Sequence, residues 1–248
     1  MWSYQISDAD KAKLEALDNS KVLQIISDAA ALMKPASVVV FDDSPGDIAK
    51  VRQMALDNNE EKALAMEGHT IHYDGYFDQG RDKANTATLL PAGQTLSRGL
   101  NVKERESALE EIMGLMDGVM EGKEMVVRFF CLGPTNSRFS ISSLQITDSY
   151  YVGHSEDILY RPGYEEFKRL KDKSEFFYFW HSAGELGEDN TTVNIDKRRI
   201  YIDPQENRVL SVNNQYAGNS LACKKLSLRL AINKANQEDW LTEHMFIS

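Results

Sequence analysis

One short stretch of the chain, residues 216–225 (YAGNSLACKK), combines residue types that could hold an anion and a metal ion side by side. Its chemically useful members are a tyrosine ring, a turn glycine, a helix-capping asparagine and two adjacent lysines: Tyr216, Gly218, Asn219, Lys224 and Lys225. An imidazole follows at His244, inside the sequence WLTEHM. These types in this order indicate a binding site for a charged small molecule.

The stretch is predicted to be a corner between a strand and a helix. The strand RVLSVN leads through Gly218 into a helix that Asn219 or Ser220 can cap. Unpaired N–H groups and the helix dipole make such a corner an anion site. It is not a nucleotide-binding P-loop, because residues 218–225 lack the second glycine and the Ser or Thr that would hold magnesium.

The adjacent lysines Lys224 and Lys225 have two interpretations. Two ammonium groups at a helix N-terminus repel each other and the dipole, which favours a neutral amine able to act as a base or a metal ligand. The imidazole of His244 belongs to the commonest metal-binding side-chain type. Alternatively, the lysines lie on a solvated helix face and His244 packs beside Trp240. Their spacing leaves both interpretations open.

Composition favours small-molecule chemistry over binding to a polyanion. The 248 residues carry a formal net charge of −10, so no global field attracts nucleic acid or an anionic membrane. No stretch approaches the roughly 20 apolar residues of a membrane span. The two cysteines, Cys131 and Cys223, form no disulfide framework, and no signal peptide opens the chain. We therefore expect a cytoplasmic protein that binds neither nucleic acid nor a membrane.

The pattern of elements predicts one domain of the α/β or α+β class, with a mixed β-sheet flanked by helices. Helices are predicted after Ser7, Ser20 and Ser44 and over 104–120, and 74–100 is predicted to be mostly loop. Apolar, β-branched and aromatic runs predict the strands. These are SVVVFD, MVVRFFCL, SISSLQIT, EFFYFWH, TTVNID, RRIYID and RVLSVN.

Residues 216–245 as a whole resemble the corresponding segment of phosphoenolpyruvate carboxykinases of the GTP-type lineage. Four further pieces agree in order along the chain: Gly80-Arg81, Gly133-Pro134, Thr147-Asp148-Ser149 and His181-Ser182. The resemblance covers roughly residues 35–248. It implies that 1–236 form the substrate-binding N-terminal lobe of that fold and that 237–248 begin the catalytic lobe.

The resemblance also implies a role for each matching residue. Lys225 and His244 look like two ligands of a catalytic divalent cation, Mn²⁺ or Mg²⁺. Lys224 looks like a contact of the transferring phosphoryl group or of the substrate oxygens. Tyr216 matches the group that holds the substrate carboxylate, together with the backbone at Gly218 and Asn219. Arg81 matches the catalytic and substrate-binding arginine of a mobile loop in that family, and its planar fork suits a carboxylate or a phosphate.

Departures of this chain from the family pattern suggest two expectations. The runs HYDGYFDQGRDKANT and LGPTNS look closer to the pyrophosphate-dependent branch, so pyrophosphate or phosphate is favoured over GTP as donor or acceptor. The family's metal-binding aspartate and true P-loop have no counterpart in the chain. We therefore expect that the 248 residues alone do not interconvert oxaloacetate with phosphoenolpyruvate and CO₂, and that they can associate with the rest of an enzyme.

The alternative to an enzyme is a non-catalytic module that binds a dicarboxylate or phosphoenolpyruvate, or a regulatory subunit of a full-length partner.

Two pieces of the resemblance carry simpler expectations. His181 and Ser182 are predicted to be a structural hydrogen-bonding pair near the site. Asp148 is predicted either to orient Arg81 or a neighbour, or to cap a helix.

Overall fold

The computed structural model describes residues 4–73, 82, 84–96, 100–171, 176–215, 239, 242–243 and 246–247. Its helices are α1 (Asp8–Glu15), α2 (Ser20–Met33), α3 (Pro45–Asp57), α4 (Arg105–Met116), α5 (Tyr150–Leu159) and α6 (Tyr164–Leu170), with a 3-10 turn at Ile195–Lys197. The strands are β1 (Ser37–Val40), β2 (Lys62–Ala63), β3 (Thr70–Ile71), β4 (Thr86–Leu90), β5 (Val102–Glu104), β6 (Glu124–Leu132), β7 (Ile141–Thr147), β8 (Arg161–Pro162), β9 (Phe177–Ser182), β10 (Arg199–Asp203), β11 (Arg208–Val212), β12 (Thr242–Glu243) and β13 (Phe246–Ile247).

A mixed sheet organises the described part of the chain. Its nine strands run in the order β1-β6-β7-β9-β11-β10-β4-β5, with β8 paired to β6. The pairs β6/β7 and β10/β11 are antiparallel, whereas β1/β6, β7/β9, β9/β11, β4/β10 and β4/β5 are parallel. The predicted fold class, a mixed sheet flanked by helices, is confirmed.

Helices cover the two faces of this sheet, which is why its central strands are buried along their length. All residues of β7 and β9 are buried. On one face, Val127 and Leu144 join a core with apolar residues of α2 and α4. On the other face, Val126 packs with Val51 of α3 and Tyr150 of α5. The strand ends are therefore fixed by packing on both sides.

The helices begin close to where their capping residues predict. The Ser7 side chain accepts a hydrogen bond from Asp10 N, and the Ser44 side chain accepts one from Asp47 N. The cap of α2 is Asn19, one residue before the predicted Ser20. Within the described ranges, none of the helices is long and apolar enough to cross a bilayer.

Three predicted elements differ from the structure. The predicted loop over 74–100 contains β4, because its TATLL run pairs with β10 on one side and β5 on the other. The predicted strand TTVNID is a single bridge at Thr192 followed by a 3-10 turn. Helix α4 ends at Met116, two residues before Gly118 turns the chain at a φ of +68°. The helix predicted from Asn219 and the boundary at 236/237 lie outside the described residues.

Candidate functional site

One edge of the sheet gathers strand ends from distant parts of the sequence. The parallel strands β7, β9 and β11 finish there, at Thr147, Ser182 and Val212. Strand β10 is antiparallel to β11, so it begins at the same edge with Arg199. Strand β4, parallel to β10, begins there with Thr86. Polar residues that follow or precede these ends therefore meet, as they do in ligand sites of other α/β sheets.

The residues predicted from the sequence to bind metal and substrate lie outside the described residues. They are Arg81, Tyr216, Gly218, Asn219, Lys224, Lys225 and His244. Two of them are flanked by described residues at this edge, because Asp82 follows Arg81 and Gln215 precedes Tyr216. The structure thus brings the chain next to Arg81 and the chain next to Tyr216 to one side of the sheet.

Arg198 connects these two flanking segments. Its Nη1 lies 3.6 Å from Asp82 Oδ2, and its Nε donates to the carbonyl oxygen of Asn213 at 3.3 Å. Arg198 is buried, so its charge depends on these partners. Asp82 also accepts hydrogen bonds from the backbone and side-chain nitrogens of Asn85, at 3.1 and 2.8 Å. The start of β4 and the exit of β11 are therefore joined by one buried guanidinium.

His181, near the end of β9, bridges two strand exits. Its Nδ1 lies 2.6 Å from Thr147 Oγ1, and its Nε2 lies 2.7 Å from the carbonyl oxygen of Asn214. Burial lowers the pKa of this imidazole below its usual value, because the charged form loses its hydration. The ring is therefore neutral at pH 7. His181 and Ser182 thus both make structural hydrogen bonds, as predicted, but to other residues, Ser182 Oγ donating to Asp148 and accepting from Gly184 N. Their nearness to the substrate site stays a prediction.

Asp148, directly after β7, accepts three hydrogen bonds in the described structure. Its donors are Lys123 Nζ at 2.7 Å, Ser182 Oγ at 2.6 Å and the Ala183 backbone nitrogen at 2.8 Å. The carboxylate has no exposed surface, and Lys123 also donates to the carbonyl oxygen of Gly184 at 2.6 Å. Asp148 thus fixes the turn that follows β9. It does not cap α5, whose N-cap is Ser149.

Gly184 lets this turn approach the exit of β11 closely. Its φ is +74°, and a Cβ placed on it would lie 2.1 Å from the side-chain oxygen of Asn213. Any other residue would be strained by the backbone conformation and would displace Asn213. Gly184 therefore fixes the chain where it leaves β11 at Asn213, three positions before the predicted substrate group Tyr216.

We expect Gly184→Ala to destabilise the protein more than Gly122→Ala does. Gly122 is a matched control, because its φ is +77° and a Cβ there would meet nothing within 4 Å. Left-handed backbone alone costs roughly 1–2 kcal/mol for a residue with a Cβ. Overlap with Asn213 adds about 1–2 kcal/mol for Gly184→Ala. Urea unfolding of both variants measures the difference, and equal losses would mean that Asn213 moves aside freely.

A partly buried carboxylate from another loop, that of Glu60, holds the start of α5. Glu60 accepts hydrogen bonds from Ser149 Oγ at 2.5 Å and from the backbone nitrogens of Tyr150 and Tyr151 at 3.1 and 2.9 Å. Burial raises the pKa of Glu60, which the three donors only partly oppose. Since Asp148 immediately precedes Ser149, Glu60 also fixes the backbone next to Asp148.

Sequence reasoning did not identify several residues that build this edge. They are Glu60, Lys123, Arg198, Asn213 and Asn214. A local signal existed only for the asparagine pair, which directly follows a buried strand and precedes the predicted anion corner. The partners of Glu60 and Lys123 lie far away in sequence, so no local pattern could reveal them.

The described residues do not themselves form a metal centre. Among them there is no group of three or more His, Cys, Asp or Glu side chains that could hold a metal ion. The predicted ligands Lys225 and His244 are outside this part of the chain. What the described edge can do is fix Asp82 and Asn213, which lie close in sequence to Arg81 and Tyr216, at the edge that also carries a neutral imidazole and a carboxylate with three hydrogen bonds.

Comparison with known proteins defines the class to which this fold and edge belong. The family model of the phosphoenolpyruvate carboxykinase N-terminal domain matches residues 24–236. The chain therefore belongs to the phosphoenolpyruvate carboxykinase N-terminal domain family. The resemblance read from the sequence is confirmed at this level.

Individual relatives carry the name phosphoenolpyruvate carboxykinase [GTP]. The chain is 53% identical to the protein of Thermococcus kodakarensis over 235 residues, which are 95% of this chain and 38% of that protein. It is 48% identical to the Pyrococcus furiosus protein over 98% of this chain and 39% of that protein. For Saccharolobus solfataricus the identity is 43%, over 95% of this chain and 37% of that protein. The chain thus spans less than two-fifths of the length of these relatives, and their names give no support to the predicted pyrophosphate preference.

Proposed function

We propose that this chain is the substrate-binding N-terminal part of a GTP-dependent phosphoenolpyruvate carboxykinase. The reaction would interconvert oxaloacetate and GTP with phosphoenolpyruvate, CO₂ and GDP. The observation that carries the proposal is the meeting of the segments next to Arg81 and Tyr216 at one sheet edge, through Asp82, Arg198 and Asn213. The identity to relatives with this printed name supports the same activity.

In this proposal the chain's own residues bind and orient the substrate. Arg81 pairs with a carboxylate or phosphate of the substrate through its planar fork. Tyr216 and the backbone at Gly218 and Asn219 hold the substrate carboxylate next to it, with the positive ring edge facing the anion. Lys224 donates to the transferring phosphoryl group. The buried bonds at Asn213 and Asn214 reduce the freedom that the Tyr216 segment must lose on binding.

Lys225 and His244 are the residues proposed to hold a divalent cation, Mn²⁺ or Mg²⁺. When bound, such a cation supplies Lewis-acid stabilisation of negative charge on a substrate oxygen. A lysine ligand must be neutral, which the neighbouring charge of Lys224 favours. The proposal includes a cytoplasmic reaction, which the free buried thiol of Cys131 fits.

Binding by the chain itself is the first test. Calorimetric titration of the 248-residue chain with phosphoenolpyruvate, in the presence of Mn²⁺, should give a saturable signal. We expect Arg81→Ala to weaken the affinity at least tenfold, because a bidentate charged contact is lost. Arg138→Ala is the matched control, since Arg138 is an exposed arginine in the turn between β6 and β7, at the opposite edge of the sheet. Equal affinities for the two variants would contradict the role of Arg81.

The metal ligands need a separate titration with Mn²⁺ alone. Lys225→Ala should weaken Mn²⁺ binding, whereas Lys168→Ala, which removes a partly exposed lysine paired with Glu165, should not. Unchanged Mn²⁺ affinity in Lys225→Ala would exclude a lysine ligand.

The phosphoryl donor is tested with the natural protein, at the length at which its cells produce it. Phosphoenolpyruvate carboxylation is followed with GDP and with inorganic phosphate offered separately, and we expect turnover with GDP. Turnover with phosphate only would restore the pyrophosphate-dependent prediction. Binding without turnover under either condition would favour the non-catalytic module. The 248-residue chain alone is expected to show no turnover.

A further inference from the structure

We propose that a groove between α3, α5 and the β2–β3 hairpin is the surface through which two copies of this protein associate. The groove has a volume of about 810 Å³, and its walls include Ile48 and Leu56 of α3, Leu64 of the hairpin and Ile158 of α5. This inference does not rest on the proposed function, because it concerns a helix-covered face of the sheet and not the candidate edge.

The direction of α5 separates the groove from the candidate edge. The helix begins beside that edge, directly after Ser149, and ends before β8, which pairs with β6 at Cys131 towards the opposite edge. The residues of α5 that line the groove extend to Asp157 and Ile158, in its last turn. A substrate at the strand ends therefore does not account for this surface.

The hairpin that forms one wall of the groove leaves apolar side chains in solvent. Every residue from 62 to 69 is exposed, and Met66 is exposed to 64%. On α5, Ile158 is exposed to 73%. A two-stranded hairpin alone is marginally stable in water, and apolar surface gathered beside a groove is typical of protein contact sites. A partner on this surface would bury apolar area and stabilise the hairpin.

The hairpin is already held in place beside α3 and α5. Arg52 of α3 donates a hydrogen bond through Nη2 to the carbonyl oxygen of Gly68, near the tip of the hairpin. At its base, Glu61 Oε1 lies 2.7 Å from His154 Nδ1 of α5. The wall is therefore formed before a partner arrives, which lowers the conformational entropy that association must cost.

The charges on the walls favour a second copy over a strongly charged partner. The carboxylate of Asp157 is paired with Arg128. The walls also carry one arginine and one glutamate, Arg52 and Glu67, and their other ionisable residues are histidines. Copies of a chain with a net charge of −10 repel each other in general, but this face adds no excess of either sign. It is thus a surface on which that repulsion is weakest.

A projecting hairpin next to a groove also allows a surface to be complementary to itself. In a two-fold contact the same patch of both copies meets, so the hairpin of each copy enters the groove of the other. Arg52 of each copy then faces the copy that carries Glu67 for it. Met66 suits such a contact, because its unbranched side chain adapts to an irregular wall. A two-fold contact is closed, so we infer a dimer and not a filament.

Sedimentation velocity of the natural protein over a range of concentrations tests the association. We expect the dissociation constant to rise at least tenfold in Met66→Lys and in Ile158→Lys, because each places a charge in an apolar contact. Lysine lowers the net negative charge, so general repulsion cannot produce this loss. Both side chains are exposed, so the far-UV circular dichroism should not change.

Val193→Lys is the matched control for these two variants. Val193 is 51% exposed and follows β9, outside the walls of the groove. Its substitution should leave the dissociation constant within about twofold of the unsubstituted value. A monomer at every concentration, or an assembly that both groove variants leave intact, would overturn the inference. Equal losses in all three variants would do the same, since association would then depend on exposed apolar residues in general.

Amide hydrogen exchange locates the contact on the natural protein. Exchange in peptides covering residues 45–57 and 62–70 should slow as the protein concentration rises. A peptide covering residues 20–33 should not respond, because α2 packs on the other face of the sheet. Protection of the first two peptides at every concentration would mean that a small molecule or the chain itself fills the groove, and the inference would be wrong.

Discussion

Asp148→Ala is expected to lower the free energy of unfolding by about 3 kcal/mol. The substitution leaves Ser182 Oγ and the Ala183 backbone nitrogen buried without their acceptor. Each such group costs roughly 1–3 kcal/mol. The lost ion pair with Lys123 contributes less to the destabilisation, because the Lys123 side chain is 35% exposed and its ammonium group can be hydrated instead. Urea unfolding of the purified variant at pH 7 gives the value.

Two variants calibrate this result. Asp148→Asn keeps the shape and one acceptor oxygen, so its loss should lie between those of the alanine variant and the unsubstituted chain. Glu165→Ala removes a carboxylate that is 58% exposed in its ion pair with Lys168, and should change stability by less than about 0.5 kcal/mol. If Asp148→Ala also lowered the free energy of unfolding by less than about 0.5 kcal/mol, water would replace its carboxylate and other contacts would hold the turn after β9.

Most of the sheet could be predicted from the sequence, because its strands are buried on both faces. Largely apolar runs such as FFYFWH and MVVRFF are typical of strands that are buried on both faces of a sheet. The capping residues Ser7 and Ser44 likewise predicted the starts of α1 and α3 correctly. What local patterns could not provide was strand order. That is why the sequence predicts a loop for the short TATLL run, whereas its pairing with β10 makes it strand β4.

The candidate edge was predicted only in part, for a related physical reason. The motif residues stand together in the sequence, so their types and spacing were visible. The residues behind them act across long separations: Glu60 reaches Ser149 and Tyr150, and Arg198 joins Asp82 to Asn213. Such contacts depend on which strand ends meet. Only the sheet topology defines them.

The donor prediction shows the limit of short matches. Runs such as LGPTNS suggested a pyrophosphate-dependent protein, yet LGPTNS lies at the turn between β6 and β7. This turn is at the opposite edge from the ends of β7, β9 and β11. The residue types in this distant turn need not depend on which phosphoryl donor the candidate site binds. The 53% identity to a relative named for GTP extends over 95% of the chain and is therefore a broader observation than a match of a few residues. The donor assay decides between GTP and pyrophosphate.

A buried carboxyl on α5 makes the stability of the fold depend on pH. Glu156 is 2% exposed, and within the described structure its Oε2 has no hydrogen-bond partner. Burial, with the nearby Asp157 carboxylate, raises the pKa of Glu156 well above the usual 4.5. The folded chain therefore keeps this proton where the unfolded chain has lost it. The resulting penalty is absent below about pH 4.5 and grows as the pH rises towards the folded-state value.

Glu156→Gln is therefore expected to stabilise the protein, and more so at pH 8 than at pH 5. Removing a buried ionisable group whose Oε2 has no hydrogen-bond partner in the described structure should add about 1–3 kcal/mol to the free energy of unfolding at pH 8. The neighbouring change Asp157→Asn is the matched control and should act in the opposite direction, by about 3 kcal/mol. Asp157 is the ion-pair partner of Arg128, which is buried and lies 5.9 Å from the ring centroid of Phe41 and 5.4 Å from that of Phe130. Urea unfolding at both pH values measures the two effects. A pH-independent effect of Glu156→Gln would show that Glu156 is ionised in the folded chain, with Arg128 neutralising it as well as Asp157.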